Sequence, residues 1–347
     1  MSIISIIVAI LVFMIIIVVH EWGHFIAARL CGVYVEEFAV GMGPKIIGRT
    51  TKKGTLVAWR LFPVGGFCRM RGEEEASDEP GSFSEASVWR RMAIVAAGPL
   101  MNFVLAMALM MVFTGAYGYI DTKIESVEAD YPAAEAGIEA GDRIVAVNGQ
   151  TVHLYTKFSY VMSLNTGDEV RLTVRSASGE TKEVLIKPKL DEAEGRYRLG
   201  FAVGANTHPH IGQVISQSFW NLCFDVELVV RSFVQLITGQ VAMREVSGPI
   251  GIVSVIGQSY REGIQESVLA ALSNVGSLVI LLSVNLGVLN LFPIPALDGS
   301  RLVFLLIEKI RGKKMDPKVE NAIYAIGFLL LMGLMVLIAI NDIHNLL

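Results

Sequence analysis

The stretch "IIIVVHEWGHFIAARL", Ile15 to Leu30, decides how the chain is read, because three ionisable side chains follow directly on one of its most apolar runs. Ile3 to Val19 is long enough to approach a membrane crossing, has no basic segment ahead of it and no small-residue cleavage site before His20. It reads as a retained span rather than a removed signal. The chain as a whole agrees: of 347 residues, 53% are hydrophobic, and the mean hydropathy is +0.53. A soluble domain is usually less apolar than this.

Three further segments qualify as spans by length: Met92 to Tyr119, Val268 to Leu297 and Ala322 to Ile340. A fifth candidate, Val214 to Ile237, carries Asp225, Glu227 and Arg231 near its middle. Each would cost about 2.5 kcal/mol or more facing lipid, so the segment reads as an interfacial amphipathic helix. Between the first two spans, Lys45, Arg49, Lys52, Lys53, Arg60, Arg69, Arg71, Arg90 and Arg91 mark a cytoplasmic loop. A second basic loop follows from Arg301 to Lys318. Four spans put both loops on the cytoplasmic side and the segment between the middle spans outside. Counting Val214 to Ile237 as a span would break that agreement.

Between the second and third spans the composition becomes that of a soluble domain, with alternating strands such as "EVRLTVRSASGETKEVLIKP", Glu169 to Pro188. The net charge of −4 gives no reason to expect nucleic acid as a partner. Cys31, Cys68 and Cys223 are scattered and odd in number, so neither a disulfide framework nor a thiolate metal site is expected.

His20, Glu21 and His24 form HExxH. On a helix, positions i and i+4 share a face, so two imidazoles can hold one metal ion while the glutamate serves as acid and base on water. Buried ionisable groups in a span are costly unless paired, solvated or metal-bound. A catalytic zinc takes about three protein ligands. The topology offers Asp298 as the third, at the cytoplasmic end of the third span in "NLGVLNLFPIPALDGSRL". The other reading of Asp298 is a cap on the following helix. Asn102, in "GPLMNF", reads as a polar packing group between helices, with substrate contact as the alternative.

The segment "YPAAEAGIEAGDRIVAVNGQ", Tyr131 to Gln150, resembles a PDZ domain, and "YRLGFAV", Tyr197 to Val203, resembles its carboxylate-binding loop, with Leu199, Gly200 and Phe201. HEWGH, then this domain, then "NLFPIPALDG", Asn290 to Gly299, is together similar to the site-2 protease family of intramembrane zinc metalloproteases, bacterial RseP type. "GGFCRMRGEE", Gly65 to Glu74, "AAGPLMNF", Ala96 to Phe103, and "VSGPIGIV", Val246 to Val253, match family segments in the same order.

That resemblance implies one Zn²⁺ per chain on His20, His24 and Asp298, with Glu21 as the catalytic acid/base. It implies substrate-binding roles for Asn290 and Pro293 of the NxxPxxxxDG pattern. "TLVAWRLFPVGGFCRM", Thr55 to Met70, with Gly65, Gly66 and Phe67 as substrate-binding candidates, resembles the family's membrane-associated β-hairpin, which could accept an unwound substrate by strand addition; the other reading is an ordinary cytoplasmic hairpin. The fold class expected is a polytopic α-helical membrane protein with four spans, an inserted α+β PDZ domain and that β-hairpin. Four regions follow: a catalytic half over 1–120, the PDZ domain over 121–207, interfacial helices over 208–265, and a C-terminal half over 266–347. The expected partners are the bilayer, single-span membrane protein substrates and a peptide C-terminus in the PDZ groove. The expected location is the bacterial inner membrane, with the PDZ domain outside and the active site near the cytoplasm. Well-known family members carry two PDZ domains, whereas this chain has room for one. The competing reading is a catalytically silent PDZ scaffold, for which the intact HExxH and aspartate have no use.

Overall fold

A computed structural model describes residues 3–73, 77–192, 195–241 and 247–346. Glu74 and Val246, the ends of two segments quoted above, lie outside the described residues. The chain divides into two compact units, one of Met1–Leu109 with Asp225–Leu347, the other of Met110–Phe224.

In the first unit, α1 runs over Ile3–Leu30 without interruption through the HEWGH motif. It stops at Gly32, whose φ of +78° reverses the chain and lets the Val33 N–H return to the Ala28 carbonyl at 2.8 Å. The chain then forms a long antiparallel hairpin of β1 (Val35–Thr50) and β2 (Leu56–Met70). Val35, Glu37 and Ala39 are buried at its base. Arg60 and Arg69 donate to the buried Glu37 at 2.6 and 2.8 Å, giving it the partners a buried carboxylate needs. Beyond Gly41 alternation is lost, and Met42, Ile46, Ile47, Trp59, Leu61 and Phe62 are all exposed.

Helix α2 covers Val88–Tyr117 and contains Pro99. It starts earlier than the apolar run and ends before Tyr119, where Gly118 adopts φ +77°. Later in the chain, α5 spans Ile211–Ile237, α6 Pro249–Glu266 and α7 Val268–Leu291. They are followed by α8, Asp298–Arg311, and α9, Pro317–Leu346. Among the described residues, four helices are long and apolar enough to cross a membrane, and these are α1, α2, α7 and α9. Helix α6 packs on three of them: Ile256 joins Ala9, Val12 and Ile16 of α1 and Val279 of α7 in one buried cluster, and Asp342 of α9 accepts from the start of α6. The segment 208–265 holds α5 and α6.

One expectation changes here. The third span was read as continuing to Leu297, but α7 ends at Leu291. Pro293 and Pro295 lack the N–H groups a helix needs and disfavour helical backbone in the residue before each. Asp298 consequently sits not on the span but on the first turn of α8. Nor does it cap that helix: its N-cap position is Leu297, without a side-chain cap.

The second unit holds a sheet of strand order β10-β3-β4-β6-β7, formed by Phe201–Asn206, Tyr119–Val127, Arg143–Val147, Val170–Arg175 and Thr181–Ile186. A short β5, Gln150–Thr151, returns on β4 through Asn148 and Gly149, both at positive φ. Helices α3 (Pro132–Glu135) and α4 (Tyr155–Ser163) accompany the sheet. Lys189–Asp191 and Arg196–Arg198 pair as β8 and β9. Ile124, Ile144, Val147, Phe158, Leu172 and Leu199 share its core. The compact unit reaches beyond 121–207 at both ends, taking in the end of α2 and the first half of α5.

Candidate metal centre

His20 and His24 lie one helical turn apart on α1, only 7% and 8% exposed. Their Nε2 atoms are 3.2 Å apart. Asp298 brings Oδ2 to 3.1 Å from His20 Nε2 and 3.5 Å from His24 Nε2. The break after α7 makes this approach available. Gly299 packs so closely that a Cβ there would strike the Leu291 and Phe292 carbonyls, which holds Asp298 against the end of α7.

The three donor atoms form a triangle with sides of 3.1, 3.2 and 3.5 Å. Tetrahedral ligands about 2.0–2.2 Å from a zinc ion stand roughly 3.3–3.6 Å from one another. Asp298 Oδ2 is buried and makes no geometrically acceptable hydrogen bond despite its two imidazole neighbours. A close approach without a hydrogen bond at this oxygen fits a donor turned toward an ion shared with the two imidazoles. The His₂Asp set is the only such group among the described residues, and it fits zinc. Burial pushes the Asp298 carboxyl up, but the two imidazoles facing it more than reverse that, holding it below the usual carboxylate range. It is thereby kept ionised, as a ligand must be.

Further contacts orient the imidazoles. The Ile94 carbonyl lies 2.9 Å from His24 Nδ1, so that nitrogen carries the proton and Nε2 presents its lone pair. Gly98 on α2 faces both rings: a Cβ there would lie 2.9 Å from His20 Cε1 and closer still to His24. Asn102, one turn further along α2, places its amide 3.3 Å from His20 Nδ1. It is therefore not simply a packing group between helices.

A cavity of about 350 Å³ opens beside the three ligands, lined also by Glu21, Phe67, Cys68, Glu73 and Arg301. Strand β2 forms one wall. A Cβ at Gly66 would lie 3.8 Å from Glu21 Cγ and 2.9 Å from the Ala39 carbonyl, so glycine lets the strand run close to Glu21. Arg301 pairs with Glu73 across the rim. Burial works against the Arg301 charge, and the Glu73 carboxylate outweighs it and holds the guanidinium protonated.

The remaining expected site residues fall in three places. Gly65, at φ +85°, packs against Met42 in the hairpin and does not line the cavity. Asn290 is buried in the last turn of α7, and Pro293 sits in the connection to α8; neither lines the cavity. Leu199, Gly200 and Phe201 line a separate groove of about 480 Å³ in the second unit, with Tyr155, Phe158 and Met162 of α4 opposite. The sequence reading did not find Glu73, Cys68 or Arg301 as wall residues. The Arg directly after "LDGS" was a signal that could have marked one of them.

The model of the family described as peptidase family M50 matches residues 8–334. A protein of Clostridium acetobutylicum, provisionally named a zinc metalloprotease, is 36% identical, the match covering 99% of this chain and 98% of that one. Zinc metalloprotease RasP of Oceanobacillus iheyensis is 28% identical over 97% of this chain and 98% of its own length. Among solved structures, the PDZ domain of an SdrC-like protein from Listeria innocua is 27% identical. That match covers 26% of this chain and 99% of that one, with a TM-score of 0.23.

Proposed function

The chain belongs to peptidase family M50, the site-2 proteases, and is a metalloprotease; we propose that it is a zinc endopeptidase that cuts transmembrane segments of membrane proteins already trimmed by another protease. Anti-sigma factors and remnant signal peptides are the substrate types this reading favours. The observation that carries it is the convergence of His20, His24 and Asp298 in one cavity with Glu21.

When bound, zinc polarises the scissile carbonyl and makes a water acidic enough to lose its proton near neutral pH. His20, His24 and Asp298 would hold it and leave a position open toward the cavity. Glu21 takes the proton from the attacking water and returns it to the leaving amine. Glu21 shares the cavity with Phe67 and Cys68 of β2, and Gly66 lets that strand come close to it, so a substrate strand lying along β2 would pass over the proton-transfer group. A transmembrane helix hides its carbonyls within its own hydrogen bonds, and strand addition to β2 would hold the unwound form. Asn290 and Pro293, at the α7–α8 break, would contact the substrate from the other side of Asp298. Gly65 shapes the same edge.

The reading extends to the rest of the chain. The protein resides in a bacterial inner membrane with α1, α2, α7 and α9 spanning it. Residues 121–207 act outside as a PDZ-type module, admitting or holding substrate through the groove at Leu199, Gly200 and Phe201. HEWGH lies near the cytoplasmic side, where water can reach it. A PDZ scaffold without catalysis gives the His20–His24–Asp298 triangle no purpose.

The test is cleavage of a model single-span substrate by the purified chain, wild type against Glu21→Gln. The substitution removes the proton acceptor and leaves all three zinc ligands, so zinc content should stay at one per chain while cleavage falls to background. A Glu21→Gln variant that cuts at the wild-type rate would sink the assignment.

A further inference from the structure

Asn102 is fully buried on α2, 0% exposed. Its Oδ1 is buried without a hydrogen-bond partner. Its Nδ2, as placed, lies 3.3 Å from His20 Nδ1. An uncharged amide has no reason to be held in such a position for packing alone, since an unpaired buried carbonyl costs about 1–3 kcal/mol.

The tautomer of His20 resolves this. A histidine that gives Nε2 to a metal carries its proton on Nδ1 and needs an acceptor there. Amide oxygen and nitrogen exchange places when the group turns over, and the hydrogen-bond network decides the assignment. With Oδ1 turned toward His20, the Nδ1 proton gains its acceptor and the oxygen its donor, while the NH₂ takes the place where the oxygen had no partner; the metal-bound tautomer of His20, which needs an acceptor at Nδ1, decides between the two placements. His24 is treated in the same way by the Ile94 carbonyl, at 2.9 Å.

We propose that Asn102 is a positioning residue of the metal centre: its amide oxygen accepts the Nδ1 proton of His20 and fixes the tautomer that leaves Nε2 free for zinc. The inference rests on the zinc reading above and concerns a residue that touches neither substrate nor metal. The inter-helix tie at this point does not depend on the side chain, because Ser283 Oγ donates to the Asn102 backbone carbonyl at 2.9 Å. Replacing the amide therefore leaves the α2–α7 hydrogen bond intact.

The test is zinc affinity of the full purified chain, measured by competition with a chromophoric chelator, for wild type, Asn102→Leu and Asn102→Asp. Leucine keeps the volume and removes the acceptor. Aspartate keeps an acceptor. Losing a hydrogen-bond partner of a metal-bound histidine costs about 10–100-fold in affinity, so Asn102→Leu should bind that much more weakly. Asn102→Asp should stay within about threefold of wild type, because carboxylates fill the same role on zinc histidines. The Co²⁺ ligand-field spectrum should shift in the leucine variant and be preserved in the aspartate variant. Leucine binding zinc as tightly as wild type overturns the proposal, as does an aspartate variant weakened as much as leucine, which would mark a packing role. If the leucine variant does not fold, the aspartate variant decides alone: retained affinity supports the proposal and lost affinity overturns it. A folded wild type that binds no zinc overturns the zinc reading and this inference together, whereas a failure confined to the Asn102 variants leaves that reading standing.

Discussion

Gly98→Ala is the smallest change that should empty the metal centre. A methyl group at Gly98 would lie 2.9 Å from His20 Cε1 and nearer to His24 Nε2 and Cε1. Ordinary carbon contacts begin at about 3.5 Å, so the rings or α2 must move by roughly 1 Å. Metal ligands tolerate only about 0.2 Å. Displacing both rings should weaken zinc binding by ~100-fold or more, exceeding the loss of a single outer partner. The built-in control is Gly115 on the same helix, where a Cβ meets nothing within 4 Å. Alanine there should leave zinc untouched and gain up to about 1 kcal/mol of helix stability. The assay is zinc retained per chain across a chelator series, with circular dichroism to establish that both variants are folded. If α2 yields instead, the strain appears as about 1–3 kcal/mol of lost stability with zinc affinity unchanged. That result would refute the claim that Gly98 is small on account of the histidine rings.

Three other perturbations follow from the same geometry. Asp342 in α9 accepts the Gly248 and Gly251 N–H groups at 2.9 Å each, capping α6 from a distant helix; Asp342→Ala should cost about 2 kcal/mol, read as an earlier unfolding midpoint in a denaturing detergent titration. Arg91 and Glu308 form a buried bidentate pair at 3.0 and 2.5 Å; Glu308→Ala should cost about 3 kcal/mol by stranding the guanidinium, and Arg91→Met combined with Glu308→Met should recover most of it. Burial raises the Asp225 carboxyl from 3.8 to about 6, so the folded chain binds its proton more tightly than the unfolded chain does. Stability should fall as pH rises across that window, and Asp225→Asn should remove about 1 kcal/mol of that fall, after allowing for partial exposure. Melting curves of the two proteins at pH 4 and pH 7.5 give the comparison.

The convergence of His20, His24 and Asp298 was legible because its signals are local or topological. His20 and His24 are joined by helix periodicity, and Asp298 by the rule that puts both basic loops on one side. What remained hidden came from contacts with no sequence period. Asn102 meets His20 across 82 residues, and Arg301 meets Glu73 across 228. An apolar run says that α2 crosses but not which of its faces turns toward α1. The end of α7 was misjudged for a related reason: hydropathy counts Pro293 and Pro295 among apolar neighbours and is blind to their missing N–H groups. The hairpin's strands could be located from β-branched and aromatic residues, while its bulged register, with shifts between Val40 and Ile47, depends on glycines whose φ only the fold reveals. In the second unit, the alternating strands within Glu169 to Pro188 were read correctly, since each is specified within a few residues.

If His20, His24 and Asp298 hold one zinc ion, X-ray absorption at the zinc edge of the purified chain will show a shell of nitrogen and oxygen donors at about 2.0–2.2 Å with the multiple-scattering pattern of two imidazoles, reduced to one imidazole in His24→Ala. A sulfur shell at about 2.3 Å, or an unchanged imidazole pattern in His24→Ala, would contradict it.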